Sequence, residues 1–161
     1  MLAYLSGSIE FAPAEGRGWR RALKPFLEER LGHRVYDPAA DEKKNLTHEE
    51  MAHFRSWKTT DLDRFRQTVR KIIDFDLDLI ESDVDYIVCS WDRDSGRGGG
   101  TQAELTAAYR KGIPVFLVTE LPLGEISGWV LACARRIFSD VDELKSHLLA
   151  TYGKRPGRAG A

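Results

Sequence analysis

The sequence has few cysteines, no long hydrophobic run and almost no net charge. Its 161 residues include two cysteines and carry a formal charge of −1 at pH 7. Cys89 and Cys133 lie in apolar stretches without a CxxC or metal-binding spacing, so we expect two buried thiols in a reducing cytosol. The near-neutral charge gives no electrostatic reason to bind nucleic acid. No apolar stretch is long enough to cross a membrane and the N-terminus shows no signal-peptide pattern, so we expect a cytoplasmic protein without a membrane partner.

Several motifs of known chemistry are also missing. No GxGxxG follows the first predicted strand and no P-loop motif occurs, which excludes both nucleotide-binding fingerprints. His48 and His53 are one residue too far apart for HExxH, and this step rotates the two imidazoles about 140° apart on a helix. The loop that begins at Asp92 lacks the glycine and the glutamate that a calcium-binding loop needs. We therefore expect neither a metal nor a cofactor.

Strand-like and helical segments alternate along the chain. Short apolar runs predict strands at residues 2–5, 33–36, 84–89, 113–118 and 136–138. Helical spacing of apolar residues predicts helices at 19–31, 47–57, 61–81, 101–111, 129–134 and 140–149. This alternation predicts parallel strands joined by right-handed crossovers. We expect an α/β fold, a three-layer flavodoxin-like (Rossmann-like) sandwich with about five parallel strands.

The domain boundaries follow from the same pattern. We expect one domain at residues 1–152 and a disordered tail at 153–161, where glycine, proline and basic residues replace the apolar pattern. A polar loop is expected at 39–45. The connection between the second and third strands is longer than a minimal crossover, so residues 39–60 would suit a lid or an oligomer contact.

The third predicted strand leads into a glycine-rich loop and a helix. The loop runs from Trp91 to Gly100, and Thr101 with Glu104 has the spacing of a capping box. In an open α/β sheet, ligands bind at such turns, outside the carboxyl ends of the strands. We expect Glu104 in the first turn of the helix, where the helix dipole favours an ionised carboxylate. Residues 98–101 would alternatively suit a phosphate, bound by backbone N–H groups.

Other polar residues are expected at the same crevice. If the first and third strands are neighbours, Ser6, Gly7 and Ser8 face the glycine-rich loop. Asp76, near the end of a long helix, and Asp92, at the end of the third strand, would add two carboxylates. Capping alone would explain the spacing of Glu104, and membership of an acidic run would explain Asp76. Three consecutive glycines nevertheless give more backbone freedom than a cap needs, which favours a ligand site.

Four short segments resemble the nucleoside 2-deoxyribosyltransferase family and the related nucleotide N-glycosidases. They are YLSGSI at 4–9, DLDLIESD at 76–83, GTQAE at 100–104 and GIPV at 112–115. The resemblance implies a flavodoxin-like fold and an enzyme that cleaves or transfers the N-glycosidic bond of nucleosides or nucleoside monophosphates. It also implies a small-molecule substrate and, because such sites are often completed by a neighbouring subunit, a homo-oligomer.

The resemblance implies a role for each matching residue. Glu104 would attack the anomeric carbon to form a glycosyl-enzyme intermediate, and Tyr4 would orient its carboxylate. Asp76 would act near the sugar or the base, and Asp92 would help to protonate the leaving base. Retaining glycosidases divide the work in this way between a nucleophile and a proton donor. The residues expected to bind substrate are Ser6, Gly7, Ser8, Trp91, Gly98, Gly99, Gly100 and Thr101.

Two alternatives stay open because the sequence departs from the family. Gly98 and Gly99 stand where transferases often carry acidic residues, and no base-binding segment is recognisable after Val118. A nucleotide sensor without turnover would use residues 98–101 for phosphate. The GGGT-x-x-E run also resembles phosphoribohydrolases of the cytokinin-activating type, although their PGGxGT signature is absent. Transfer to a second base and hydrolysis by water are not distinguished.

Further side chains would suit a nucleotide, although each has a structural explanation of at least equal weight. Arg17 and Arg20, near the start of the first helix, would suit a 5′-phosphate, or they are solvated helix charges. Trp91, Phe54 and Trp57 would suit stacking on a base, or they belong to the hydrophobic core.

Overall fold

The computed structural model describes residues 1–41 and 46–153, and the strands among them form one parallel sheet. The strands are β1 (Leu2–Gly7), β2 (Arg34–Tyr36), β3 (Tyr86–Ser90), β4 (Val115–Val118) and β5 (Arg136–Phe138). Their order is β2-β1-β3-β4-β5, with every neighbouring pair parallel. The predicted fold class, a flavodoxin-like α/β sandwich with five parallel strands, is confirmed.

Helices cover both faces of the sheet. They are α1 (Arg17–Pro25), α2 (His48–Thr60), α3 (Leu62–Ser82), α4 (Gly100–Lys111), α5 (Gly128–Cys133) and α6 (Val141–Tyr152). The helix predicted at 19–31 is α1 followed by a π-helical turn, Phe26–Arg30. It ends at Gly32, whose left-handed φ of 68° is typical of a helix C-terminus. No helix in the described ranges is both long and apolar enough to cross a membrane.

The core has two halves because successive side chains of a strand face opposite sides of the sheet. On one side, Tyr4 and Cys89 pack with residues of α3, α4 and α5. On the other side, Leu5 and Val88 pack with residues of α1 and α6. Every residue of β1 is buried. Cys89 and Cys133 are free and buried, as predicted.

The segment between β2 and β3 supplies the helix pair α2–α3. Helix α2 begins with the capping box predicted there: Glu50 N–H donates to Thr47 Oγ1 at 3.2 Å, and Thr47 N–H donates to Glu50 Oε2 at 2.8 Å. Helix α3 agrees with the helix predicted at 61–81. Residues 42–45 of the loop expected at 39–45 lie outside the described residues, as does the expected tail after Gly153.

The capping box predicted at the start of α4 is wrong. The helix begins at Gly100, with Gly99 as its N-cap residue and no side chain bonded to the end of the helix. Thr101 therefore lies inside the first turn, and Glu104 is the fifth helical residue. The glycines before the helix let the chain enter it without a capping side chain. Glu104 is therefore neither a capping residue nor a residue of the first helical turn. Neither capping nor the helix dipole explains the position of its carboxylate.

Candidate active site

A cavity of about 390 Å³ opens where β1 and β3 end. The loops after these two strands and the start of α4 form its polar side, and α2 with α3 forms its apolar side. Its size is within the range of small-molecule sites. The predicted crevice is therefore present, and its lining includes Gly7, Ser8, Asp76, Gly98, Gly99, Gly100, Thr101 and Glu104.

Two hydroxyl groups of β1 hold the Glu104 carboxylate. Tyr4 donates to Oε1 at 2.8 Å, and Ser6 donates to Oε2. The two donors are two residues apart on one strand, so they share a face of the sheet. Both are fully buried, whereas Glu104 is partly exposed at the cavity wall. Each carboxylate oxygen thus accepts a hydrogen bond from a buried hydroxyl, and the two bonds fix the plane of the carboxylate.

Tyr4 remains a hydrogen-bond donor over a wide pH range. Burial, followed by the negative charge of Glu104, raises the pKa of the Tyr4 phenol well above its ordinary value. A protonated phenol can only stabilise the Glu104 carboxylate by donating to it, which is the geometry observed.

A second tyrosine–carboxylate pair lies beside the first. Tyr36, at the end of β2, donates to Oδ1 of Asp76 on α3 at 2.9 Å. Burial and then the charge of Asp76 raise the pKa of Tyr36 above its ordinary range. The rings of Tyr4 and Tyr36 pack with their centroids 5.2 Å apart. The strand register, which pairs Tyr4 with Tyr36, brings the two carboxylates to one cavity.

Asp92 is not brought to the cavity. Its Oδ1 accepts hydrogen bonds from the backbone N–H and the hydroxyl of Ser95, both at 2.8 Å, and its side chain is exposed. Asp94, two residues later, lines the cavity instead and accepts a bond from Arg97 at 3.1 Å. Within the described lining, the carboxylate of this loop is therefore Asp94, which the sequence did not single out.

The aromatic side chains at the cavity also differ from those expected. Trp91 is 5% exposed and belongs to the core, and it is not among the described lining residues. Trp57 is buried beneath the Arg64 guanidinium, which lies 3.9 Å from its ring centroid. Phe54 does line the cavity, together with Phe11 and Phe65. These three phenylalanines give the cavity an aromatic surface.

Arg20 is part of the scaffold, not of the cavity lining. It is fully buried, and it donates to the carbonyls of Gly7 at 2.9 Å and Gly16 at 3.0 Å. Its Nε lies 3.4 Å from Oδ1 of Asp37. Removal from water lowers the pKa of Arg20. The guanidinium ties the end of β1 to the loop that follows it, so the suggested contact with a phosphate is not supported for this residue.

Gly7 is required where β1 passes β3. A Cβ atom at this position would lie 2.9 Å from the carbonyl oxygen of Ser90 and 3.2 Å from the Trp19 ring. The absent side chain keeps the ends of the two strands close at the mouth of the cavity. Among residues 1–41 and 46–153, no group of three or more His, Cys, Asp or Glu side chains is placed to hold a metal ion.

The fold is similar to that of a solved 2-deoxyribosyltransferase from Bacillus psychrosaccharolyticus. The TM-score is 0.56, and the sequences are 23% identical over 97% of this chain and 98% of that chain. The same topology thus extends over nearly the full length of both chains. No protein-family model and no curated protein matches the sequence.

Proposed function

We propose that this protein cleaves or transfers the N-glycosidic bond of a nucleoside or nucleoside monophosphate, with Glu104 as the nucleophile. The observation that carries the proposal is the pair of hydrogen bonds from buried Tyr4 and Ser6 to the two oxygens of Glu104, at the wall of a cavity of suitable size. The fold similarity to a 2-deoxyribosyltransferase supports a nucleoside as the substrate.

In the first step, an oxygen of the Glu104 carboxylate attacks the anomeric carbon of the sugar. The bond between this carbon and the base nitrogen breaks, and its electron pair goes to the nitrogen. The base leaves with a proton that Asp76 takes up from solvent and passes to the base nitrogen. The product is a sugar ester of Glu104 and a free neutral base.

In the second step, an acceptor attacks the same carbon on the opposite face. Asp76, now a carboxylate, takes the proton of the acceptor, and the bond to Glu104 breaks with its electron pair returning to the carboxylate. Water as acceptor gives hydrolysis, and a second base gives transfer. Two inversions return the sugar to its original configuration.

The rest of the cavity supports this division of work. Phe11, Phe54 and Phe65 line the cavity, so a planar base bound there would contact aromatic side chains. Ser8 and the backbone of residues 98–101 lie on the polar side, where sugar hydroxyls would find hydrogen-bond partners. Tyr36 holds Asp76 by a hydrogen bond at 2.9 Å, which would fix the proton donor with respect to the base.

The test is an activity screen with a nucleophile variant. Deoxynucleosides, ribonucleosides and their 5′-monophosphates are incubated with and without a second free base, and chromatography measures released base and new nucleoside. We expect Glu104→Gln to slow base release by about a thousandfold or more. When the protein is denatured during turnover and digested, mass spectrometry should find the sugar on the peptide that contains Glu104.

Glu81→Gln is the matched control, because Glu81 is an exposed carboxylate that pairs with Lys111 of α4. Glu81→Gln should release base at the same rate as the unmodified protein. Equal rates for Glu104→Gln and the unmodified protein would refute the nucleophile assignment. Tight nucleotide binding without any turnover would instead favour the sensor.

A further inference from the structure

The turn before α1 is held in an unusual conformation. Ala14, Glu15 and Gly16 all have positive φ, at 47°, 57° and 63°. The left-handed region is unfavourable for the first two, because they carry a Cβ atom. The buried Arg20 guanidinium holds the turn by donating to the carbonyls of Glu15 at 3.2 Å and Gly16 at 3.0 Å. Strained residues of this kind concentrate at functional sites.

The turn places the Glu15 carboxylate between two arginines. Arg17 Nε donates to Oε2 at 3.0 Å, and Arg55 Nη2 of α2 lies 2.8 Å from Oε1. All three side chains line the cavity. Arg17 and Arg55 are the two basic residues in the described part of the lining, so one carboxylate pairs with both.

The remaining charges of the described lining are negative. Besides Glu15, the wall carries Glu10, Asp41, Asp76, Asp94 and Glu104. Glu10 pairs with Lys58 at 2.7 Å and Asp94 with Arg97 at 3.1 Å, yet carboxylates outnumber basic groups among the described residues at this wall. An excess of one sign of charge repels ligands of the same sign. A phosphate monoester would bring up to two further negative charges into it, next to two arginines whose guanidinium groups are already paired with Glu15.

We propose that Glu15 is a specificity-determining residue, which makes the cavity select uncharged nucleosides over their 5′-monophosphates by pairing with Arg17 and Arg55. This inference rests on the proposed function and narrows its substrate class. Replacement of Glu15 by an uncharged residue removes a negative charge and leaves two guanidinium groups at the cavity. Guanidinium groups bind phosphate oxygens well, often through two parallel hydrogen bonds.

The experiment compares binding and turnover of the four 2′-deoxynucleosides and their 5′-monophosphates. Binding is measured by calorimetry in the Glu104→Gln background, and kcat/KM is measured with Glu104 intact. The unmodified protein should prefer the nucleoside by about tenfold or more, and Glu15→Gln should lower that preference by about tenfold. Raised salt should reduce both differences.

Two further variants separate the role of Glu15 from other effects. Glu15→Gly removes the carboxylate and also relieves the left-handed conformation, so it should shift the preference in the same direction without loss of folding. The double variant Glu15→Gln/Arg55→Met should lose most of the shift toward monophosphates that Glu15→Gln alone produces. Glu49→Gln is the matched control, because it also releases an arginine, Arg64, but at an exposed pair that does not line the cavity. It should leave the preference unchanged.

The inference is overturned if the unmodified protein binds monophosphates as tightly as nucleosides, or if neither Glu15 variant changes the preference. An equal shift with Glu49→Gln would also overturn it, because general surface charge would then be the cause. An inactive protein whose binding preference still depends on Glu15 would contradict the proposed enzyme activity and not the assignment of Glu15.

Discussion

The Ser6 hydroxyl donates a hydrogen bond to Oε2 of Glu104, although 98 residues separate the two in the sequence. Ser6 is fully buried, so water cannot replace this donor from the cavity. Ser6 is not among the described residues that line the cavity, so we expect it to position Glu104 and not to contact the substrate.

Loss of either hydroxyl should therefore reduce kcat more than it changes KM. We expect Ser6→Ala and Tyr4→Phe each to lower kcat by about 10- to 100-fold, because a donor that fixes the carboxylate is lost while the cavity lining is retained. In the double variant, the reduction of kcat should be smaller than the product of the two single reductions, since both hydroxyls act on one carboxylate. Steady-state kinetics of the three variants measure kcat and KM, and thermal melting checks that each variant is folded. A raised KM at unchanged kcat would mean that the hydroxyls bind substrate.

The two aspartates of the glycine-rich loop should behave differently. Asp94→Asn should lower kcat/KM by about tenfold, because Asp94 lines the cavity. Asp92→Asn should leave kcat/KM within about threefold and lower the free energy of unfolding by about 1 kcal/mol, because Asp92 bonds to Ser95. Kinetics and denaturant unfolding of both variants test this, and the opposite pattern would contradict it.

Arg20 should matter for stability more than any exposed arginine. Arg20→Met should lower the free energy of unfolding by about 3–5 kcal/mol, since Asp37 and the carbonyls of Leu5 and Gly7 lose their contacts with the buried guanidinium. Arg21→Met, at an exposed position of the same helix, should cost about 0.5 kcal/mol or less. Urea denaturation of the two variants compares these values. Similar losses for both would show that the buried network contributes little.

Stability should fall as the pH falls below the ordinary pKa of histidine. Burial lowers the pKa of His33 from 6.5, and its Nδ1 lies 2.8 Å from the Tyr86 hydroxyl. The unfolded chain therefore binds this proton at a higher pH than the folded chain, so the contribution of His33 is complete above pH 6.5 and is lost below it.

The measurement is denaturant unfolding at about pH 7.5 and about pH 5.5. His33→Gln should show a smaller loss of stability between these values than the unmodified protein. Part of the loss should remain, because burial also lowers the pKa of His147. An equal loss in His33→Gln and the unmodified protein would contradict the assignment to His33.

The fold followed from the sequence because apolar runs and helical spacing are local patterns. The same local patterns also indicate where Trp91 and Arg20 lie, and the predicted substrate contacts of these two residues did not take them into account. Trp91 continues the alternation of Ile87 and Cys89, and this places it in the core. Arg20 has helical spacing with Leu23 and Leu27, which turns it toward the sheet.

Other features of the site depend on contacts that no local pattern contains. The choice between Asp92 and Asp94 is made by the hydrogen bonds of Asp92 to Ser95, which set the conformation of the loop. Tyr36 joins the site through the register of β1 and β2, and Glu15 through a left-handed turn that a distant buried arginine supports.

The hydroxyls that hold Glu104 belong to β1, whereas the aromatic wall belongs largely to α2 and α3. Phe54 and Phe65 can therefore be varied together in a library without replacing any side chain that fixes the carboxylate. If the proposed reaction holds, the range of accepted bases and the reactivity of Glu104 are separate design variables, encoded in different segments of the chain.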